Sequence, residues 1–154
     1  MFEEFLGLPL HPLAVHAPIV LVPLLVVAAV GYALVPKKRG HLAWVAAVLA
    51  VLAPLSAVVA KLSGDAFGKR SYGEALPDVV GTHSTYGNRL MWAAIATGVL
   101  TLGLVWARRG QGSGKARIWV TGALTVLAVA AAAISAVFIF RVGHSGAEMV
   151  WQGR

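Results

Sequence analysis

Residues 17–60 read APIVLVPLLVVAAVGYALV, then PKKRGH, then LAWVAAVLAVLAPLSAVVA. Two apolar runs, residues 17–35 and 42–60, thus flank a hexapeptide that carries Lys37, Lys38 and Arg39. A helix rises about 1.5 Å per residue, so each run is long enough to cross a hydrocarbon core of about 30 Å. The stretch therefore predicts two antiparallel membrane-spanning helices joined by a short basic turn.

Two further apolar runs, residues 85–107 and 118–140, predict a second pair of such helices. The composition agrees, because 58% hydrophobic and 12% charged residues are far from the values of a soluble domain. Alanines spaced three and four apart in the second run predict close helix packing. We therefore predict an all-α fold, a single domain over residues 1–154. It is an integral membrane four-helix antiparallel bundle with helices at about 12–35, 42–60, 83–107 and 117–141.

The charged residues are divided unevenly between the two ends of this bundle. The two short connections hold no acidic residue and seven basic ones, which are Lys37, Lys38, Arg39, Arg108, Arg109, Lys115 and Arg117. The termini and the connection over residues 61–82 hold all six acidic residues, which are Glu3, Glu4, Asp65, Glu74, Asp78 and Glu148. Cytoplasmic loops are enriched in Lys and Arg. The pattern predicts a multi-pass membrane protein with both termini on the non-cytoplasmic side. The same topology accounts for the net charge of +7, so no nucleic-acid partner is expected.

Four of the five histidines fall at the predicted outer end, where helices 1, 3 and 4 begin or finish. They are His11, His16, His83 and His144, whereas His41 lies in the basic connection at the other end. The chain has no cysteine, which excludes thiolate zinc sites, iron–sulfur clusters and covalently attached haem. Polar side chains at membrane depth are costly and tend to mark a functional site. The four histidines are therefore the candidate site.

Three interpretations of these histidines stay open. In the first, two neutral imidazoles bind a haem of the b type. His16 and His83 form the first axial pair, His144 and His11 follow, and Arg89 and Arg141 are candidate partners of the propionates. In the second, His11, His16, His83 and His144 bind a zinc or copper ion directly. In the third, the histidines only anchor the chain at the headgroups, and the protein is a cofactor-free scaffold subunit.

Three segments together resemble one protein family. Residues 11–19 read HPLAVHAPI, His83 opens the third helix, and residues 143–147 and 150–153 read GHSGA and VWQG. These segments resemble the small four-helix bacterial membrane proteins of domain-of-unknown-function family 2231, over nearly the whole chain. The resemblance implies a location in the bacterial cytoplasmic (inner) membrane. Trp151 stands where that family often has tyrosine, and Ala17 where it often has phenylalanine, and neither change alters a histidine.

The resemblance implies a redox role, since members of that family are sometimes fused to Rieske iron–sulfur domains or found near redox proteins. We therefore expect a membrane-embedded haem protein that transfers electrons at the outer face. Besides the lipid bilayer, its expected partners are a quinone or a Rieske-type or other redox protein, and a homodimer stays open. Any catalysis would be that of an oxidoreductase or an electron-transfer component.

Overall fold

The computed structural model of the chain describes residues 4–110 and 114–151. A two-stranded antiparallel ribbon, β1 (Glu4–Phe5) and β2 (Leu8–Pro9), precedes all helices. The helices are α1 (Leu10–Ala14), α2 (His16–Leu34), α3 (Arg39–Tyr72), α4 (Asp78–Arg109) and α5 (Lys115–Trp151), with a 3-10 turn at Pro36–Lys38. Glu3 and residues 152–154, which the sequence analysis used, lie outside the described residues.

Four helical segments are long and apolar enough to cross a membrane: Leu10–Leu34, Pro36–Tyr72, Asp78–Arg109 and Lys115–Trp151. The predicted all-α, four-helix membrane fold is therefore confirmed. The helices form a closed ring in which α2 contacts α3 and α5, and α4 contacts α3 and α5. The turn at Pro36–Lys38, the last residues of α4 and the first residues of α5 lie at one end of the bundle, here called the arginine end. The turn at residues 73–77 lies at the other, here called the histidine end.

The helices at the histidine end run further than their apolar segments predicted. α3 continues to Tyr72, α4 starts at Asp78, and α5 continues to Trp151, so the expected connection at 61–82 shrinks to residues 73–77. Gly73 stops α3 by adopting a φ of 68°, a left-handed conformation that favours glycine. Hydropathy marks where the hydrocarbon core ends, but backbone hydrogen bonding continues into polar residues such as Lys61 and Asp65, which pair one turn apart.

Small residues let the helices approach closely. The buried alanines of α3 are Ala46, Ala50, Ala53, Ala57 and Ala60. Gly98 of α4 faces this row, and a Cβ atom there would lie 2.4 Å from the carbonyl oxygen of Ala50. Since lipid offers no hydrophobic driving force between helices, this close contact supplies dispersion energy instead. The predicted alanine row of the second span is therefore at the centre of the bundle.

Candidate functional site

His11 and His83 meet inside the histidine end of the bundle. α1 supplies His11 and α4 supplies His83, and both side chains are half-buried. Their ring centroids are 6.4 Å apart and the ring planes stand at 78° to each other. The structure thus pairs His83 with His11, whereas the sequence had favoured His16 as the partner of His83.

The ring of His11 is fixed by α3. Its Nδ1 lies 3.0 Å from the carbonyl oxygen of Ala60 and 3.3 Å from Oγ of Ser63. A carbonyl oxygen only accepts hydrogen bonds, so Nδ1 carries the proton and donates it. In the neutral ring Nε2 then keeps its lone pair. Phe67 stacks on the same ring with centroids 6.2 Å apart.

The ring of His83 is fixed in a similar way by α5. Its Nδ1 lies 3.0 Å from Oγ of Ser145, a serine that is buried between the helices. The hydroxyl of Ser145 donates its own proton to the carbonyl oxygen of Val142, at 3.2 Å. It can therefore accept a hydrogen bond from Nδ1 of His83, which again leaves the lone pair on Nε2.

A glycine follows each of these serines and makes room for the histidine ring. A Cβ atom at Gly64 would lie 2.8 Å from Cε1 of His11, closer than carbon atoms can approach without a shift. A Cβ atom at Gly146 would lie 3.4 Å from Cε1 of His83. The pairs Ser63-Gly64 and Ser145-Gly146, here called the serine–glycine pairs, thus hold one imidazole each.

Both histidines line one cavity of about 530 Å³ between the helices. Most of its wall is apolar and includes Val15, Pro18, Ala57, Phe67, Leu90, Ile139, Val142 and Met149. Its polar wall residues besides the histidines include Lys61, Asp65 and Ser84. Lys61 forms an ion pair with Asp65, and Oγ of Ser84 donates a 3.4 Å hydrogen bond to the same carboxylate. Pockets of this size that combine apolar walls with a few polar groups are typical of small-molecule and cofactor sites.

His16 and His144 lie outside this cavity on exposed faces of their helices. Nδ1 of His16 is 3.3 Å from the carbonyl oxygen of Leu13, one turn earlier. Nε2 of His144 is 3.2 Å from Oε1 of Glu148, and its ring stacks on Phe140 with centroids 6.2 Å apart. Successive residues of a helix point about 100° apart. Since Ser145 faces inward, its neighbour His144 faces outward.

Arg89 and Arg141 also lie away from the cavity. The Arg89 guanidinium stands over the ring of Phe138 at 5.9 Å, and that of Arg141 stands over the ring of Tyr86 at 5.5 Å. Both arginines are exposed, and neither lines the cavity. The basic residue on the cavity wall is Lys61, so Lys61 replaces these two arginines as the cation next to the paired histidines.

Residues 4–110 and 114–151 contain no group of three or more His, Cys, Asp or Glu side chains close enough to hold one metal ion. The four histidines at this end therefore do not form one ligand set. Sequence reasoning missed the serine–glycine pairs and Lys61. The signal available was the dipeptide Ser-Gly, which occurs at 63–64 and 145–146, just beyond the predicted ends of the second and fourth helices, and once more at 113–114 in a basic connection.

One family profile matches this chain over residues 7–154, and that family is described as predicted membrane protein, DUF2231. No curated protein and no solved structure matches the chain. The matched range includes both paired histidines and both serine–glycine pairs.

Proposed function

The chain belongs to the DUF2231 family of predicted membrane proteins, and we propose that within the membrane it binds haem b through His11 and His83 and transfers electrons. The observation that carries the proposal is the pair itself. Two imidazoles from separate helices face one apolar cavity with their ring centroids 6.4 Å apart. The hydrogen bonds seen for the two rings are made by Nδ1, to Ala60 and Ser63 for His11 and to Ser145 for His83.

The number of available ligands favours haem over a bare ion. A haem of the b type can be held by one or two imidazoles from the protein, whereas a structural zinc ion takes four protein ligands and a catalytic one three. The described residues bring two histidines together and no third ligand of that kind. The zinc or copper alternative, with His11, His16, His83 and His144 on one ion, therefore has less support.

The hydrogen bonds of the two rings support the same proposal. A histidine that binds a metal usually donates its other ring N–H to a carbonyl or similar oxygen, which fixes the tautomer and raises the basicity of the ligand nitrogen. Nδ1 of His11 has Ala60 and Nδ1 of His83 has Ser145 for this purpose. A metal–nitrogen bond of about 2.0–2.1 Å places the metal roughly 3 Å from the ring centre, so one metal between two rings requires a separation of roughly 6 Å. The observed centroid separation of 6.4 Å is close to this value and supports the proposal.

Bound haem would supply a one-electron couple whose potential depends on the axial ligands and on their surroundings. The chain contributes the two imidazoles, a mostly apolar wall, and Lys61, whose ammonium group is the basic one on the cavity wall. Lys61 is paired with Asp65, and it is the residue we propose as the partner of a haem carboxylate. A quinone or a Rieske-type or other redox protein remains the proposed electron partner. Assembly into a homodimer also remains a proposal.

The test is a visible spectrum of the full chain, expressed with haem precursor and recorded before and after dithionite. We expect a reducible low-spin haem spectrum that is lost in His11→Ala and in His83→Ala. His16→Ala and His144→Ala are matched controls at the same end of the bundle, and both should keep the spectrum.

Each other result has a definite meaning for this site. Colourless protein with stoichiometric zinc or copper would replace haem with an ion. Colourless, metal-free protein would support the third interpretation, in which the protein is a cofactor-free scaffold subunit. Haem that survives His11→Ala but is lost in His16→Ala would restore the pair favoured by the sequence.

We also propose that the histidine end faces the non-cytoplasmic side of a bacterial cytoplasmic membrane. The support is the charge pattern, because the two short connections hold basic residues only. A reporter enzyme fused after Gly112, which lies outside the described residues, should behave as cytoplasmic. A reporter fused after Arg154 should behave as exported, and the reverse result would invert the orientation.

A further inference from the structure

Three half-buried arginines converge at the arginine end, on the far side of the bundle from the histidines. Arg39 begins α3, Arg108 lies one residue before the end of α4, and Arg117 lies in the first turn of α5. All three line one cavity of about 620 Å³ that also includes Thr121 and Thr125. The proposed electron-transfer function uses none of these residues.

Helix ends hold the three guanidinium groups in place. Arg39 and Arg108 both donate to the carbonyl oxygens of Tyr32 and Ala33 at the end of α2, over distances of 2.9–3.3 Å. Arg117 donates to the carbonyl oxygens of Ala107, at 3.2 Å, and Arg108, at 2.9 Å. Arg108 additionally lies over the ring of Tyr32 at 5.3 Å. The positive groups are therefore fixed before any ligand arrives.

These helix ends do not neutralise the arginines. A helix C-terminus carries only about half a negative charge, and two helices supply their carbonyls to three guanidinium groups. Residues 5–64 and 79–147 contain no aspartate or glutamate, and these stretches include every residue that lines the cavity. In the described part of the chain, Nη1 of Arg39 and Nε of Arg108 have no hydrogen-bond partner. The cavity thus offers an anion both positive charge and unused donors.

Tryptophans show the depth at which this cavity lies. Trp44, Trp106 and Trp119 occur within five residues of Arg39, Arg108 and Arg117 respectively, and they are 65%, 80% and 79% exposed. Exposed tryptophans of membrane proteins concentrate at the boundary between lipid and water. The arginine cavity therefore lies at the level of the lipid headgroups, where the phosphate groups of phospholipids are found.

We propose that this cavity binds the phosphate group of an anionic phospholipid. Guanidinium groups match phosphate geometry with paired N–H donors, and basic pockets between membrane helices are known to bind such headgroups. The bound lipid would join α3, α4 and α5 at their ends through the three arginines. Free inorganic phosphate carries the same recognition chemistry, so the test separates the two sources.

The experiment measures lipid retention by native mass spectrometry of the full chain in a neutral detergent. The probes are phosphatidylglycerol, phosphatidylcholine and inorganic phosphate. We expect one phosphatidylglycerol per chain, held at least about tenfold more tightly than phosphatidylcholine. The double variant R39Q/R108Q should lose about 30-fold in affinity for phosphatidylglycerol, because two charges near the phosphate are removed. The control K37Q/K38Q removes two exposed cations at the same end and should stay within about twofold.

Equal retention of the two lipids, or an unchanged affinity in R39Q/R108Q, overturns the proposal. Binding of inorganic phosphate as tight as that of phosphatidylglycerol also overturns it and assigns the cavity to a free anion. If R39Q/R108Q does not fold, the single variant R39Q takes its place, with an expected loss of about fivefold. R39K/R108K then tests geometry, because lysine keeps the charge but lacks the paired donors.

Discussion

Ser63-Gly64 of α3 and Ser145-Gly146 of α5 each hold the ring of one paired histidine, but the contacts involve different atoms. His11 reaches a backbone carbonyl directly, that of Ala60 at 3.0 Å, with Ser63 as a second partner at 3.3 Å. His83 reaches a side chain, Oγ of Ser145 at 3.0 Å. The space also differs, since a Cβ atom would stand 2.8 Å from the ring at Gly64 but 3.4 Å at Gly146.

The comparison separates two ways of positioning an imidazole between membrane helices. The His11 ring depends on backbone position and on the absence of a side chain at Gly64, so it is sensitive to added volume. The His83 ring depends on the hydroxyl of Ser145, so it is sensitive to lost hydrogen bonding. At the first pair, substitution of Gly64 should therefore have a larger effect than substitution of Ser63. At the second pair, substitution of Ser145 should have a larger effect than substitution of Gly146.

The largest effect is expected for Gly64→Ala. The new methyl group would overlap the His11 ring and force it away from the carbonyl oxygen of Ala60. We expect a loss of haem content of tenfold or more, while the protein itself stays folded because alanine favours a helix over glycine by about 1 kcal/mol. Haem per chain and the thermal unfolding midpoint measure the two effects separately.

Gly68→Ala is the control for Gly64→Ala, one turn further along α3, where the added methyl group would meet only a leucine side chain at 3.5 Å. Gly68 also lines the cavity, so this variant adds the same methyl group to the cavity wall without the overlap with the His11 ring, and it should keep its haem. Equal haem binding by Gly64→Ala and Gly68→Ala would show that the position of His11 does not matter for the cofactor.

An intermediate effect is expected when the hydroxyls are removed one at a time. Ser145→Ala should cost about 1 kcal/mol in the free energy of unfolding, the usual range for a hydrogen bond between membrane helices. Ser63→Ala should cost roughly half as much, because Ala60 still accepts the proton of Nδ1 in His11. Reversible unfolding in mixed detergent micelles measures both values without any cofactor. A larger cost for Ser63→Ala than for Ser145→Ala would contradict the proposed difference between the two rings.

The smallest effect is expected for Gly146→Ala. Its methyl group would stand 3.4 Å from Cε1 of His83, a distance that a slight rotation of the ring relieves. Haem content should remain within about twofold of the unaltered chain, and stability should rise slightly through the helix preference of alanine. Gly143→Ala on the same helix, where a Cβ atom would meet nothing within 4 Å, serves as the reference. A tenfold loss of haem in Gly146→Ala alone would remove the contrast with Gly64.

The sequence by itself determined the fold class of this protein. The runs at 17–35, 42–60, 85–107 and 118–140 are apolar over a length that only a membrane accommodates, and this property does not depend on which helix meets which. It also determined that one end of the bundle collects His11, His16, His83 and His144. Consecutive spans run in opposite directions, so the start of the first span, the start of the third and the end of the fourth lie at the same end.

The tertiary structure alone decided which histidines meet. His11 and His16 are five residues apart in the span Leu10–Leu34, in which the backbone stays helical at Val15 between α1 and α2. At about 100° per residue, the two side chains therefore face different directions. Which of them faces inward depends on the rotation of that helix against α3, and that rotation is set by contacts such as His11 with Ala60 and Gly64. The apolar residues of α2 do not determine this rotation, because lipid accepts their side chains as readily as the interior of the bundle does. Charge and hydropathy could therefore place the histidines at one end, but only packing between helices could pair His11 with His83.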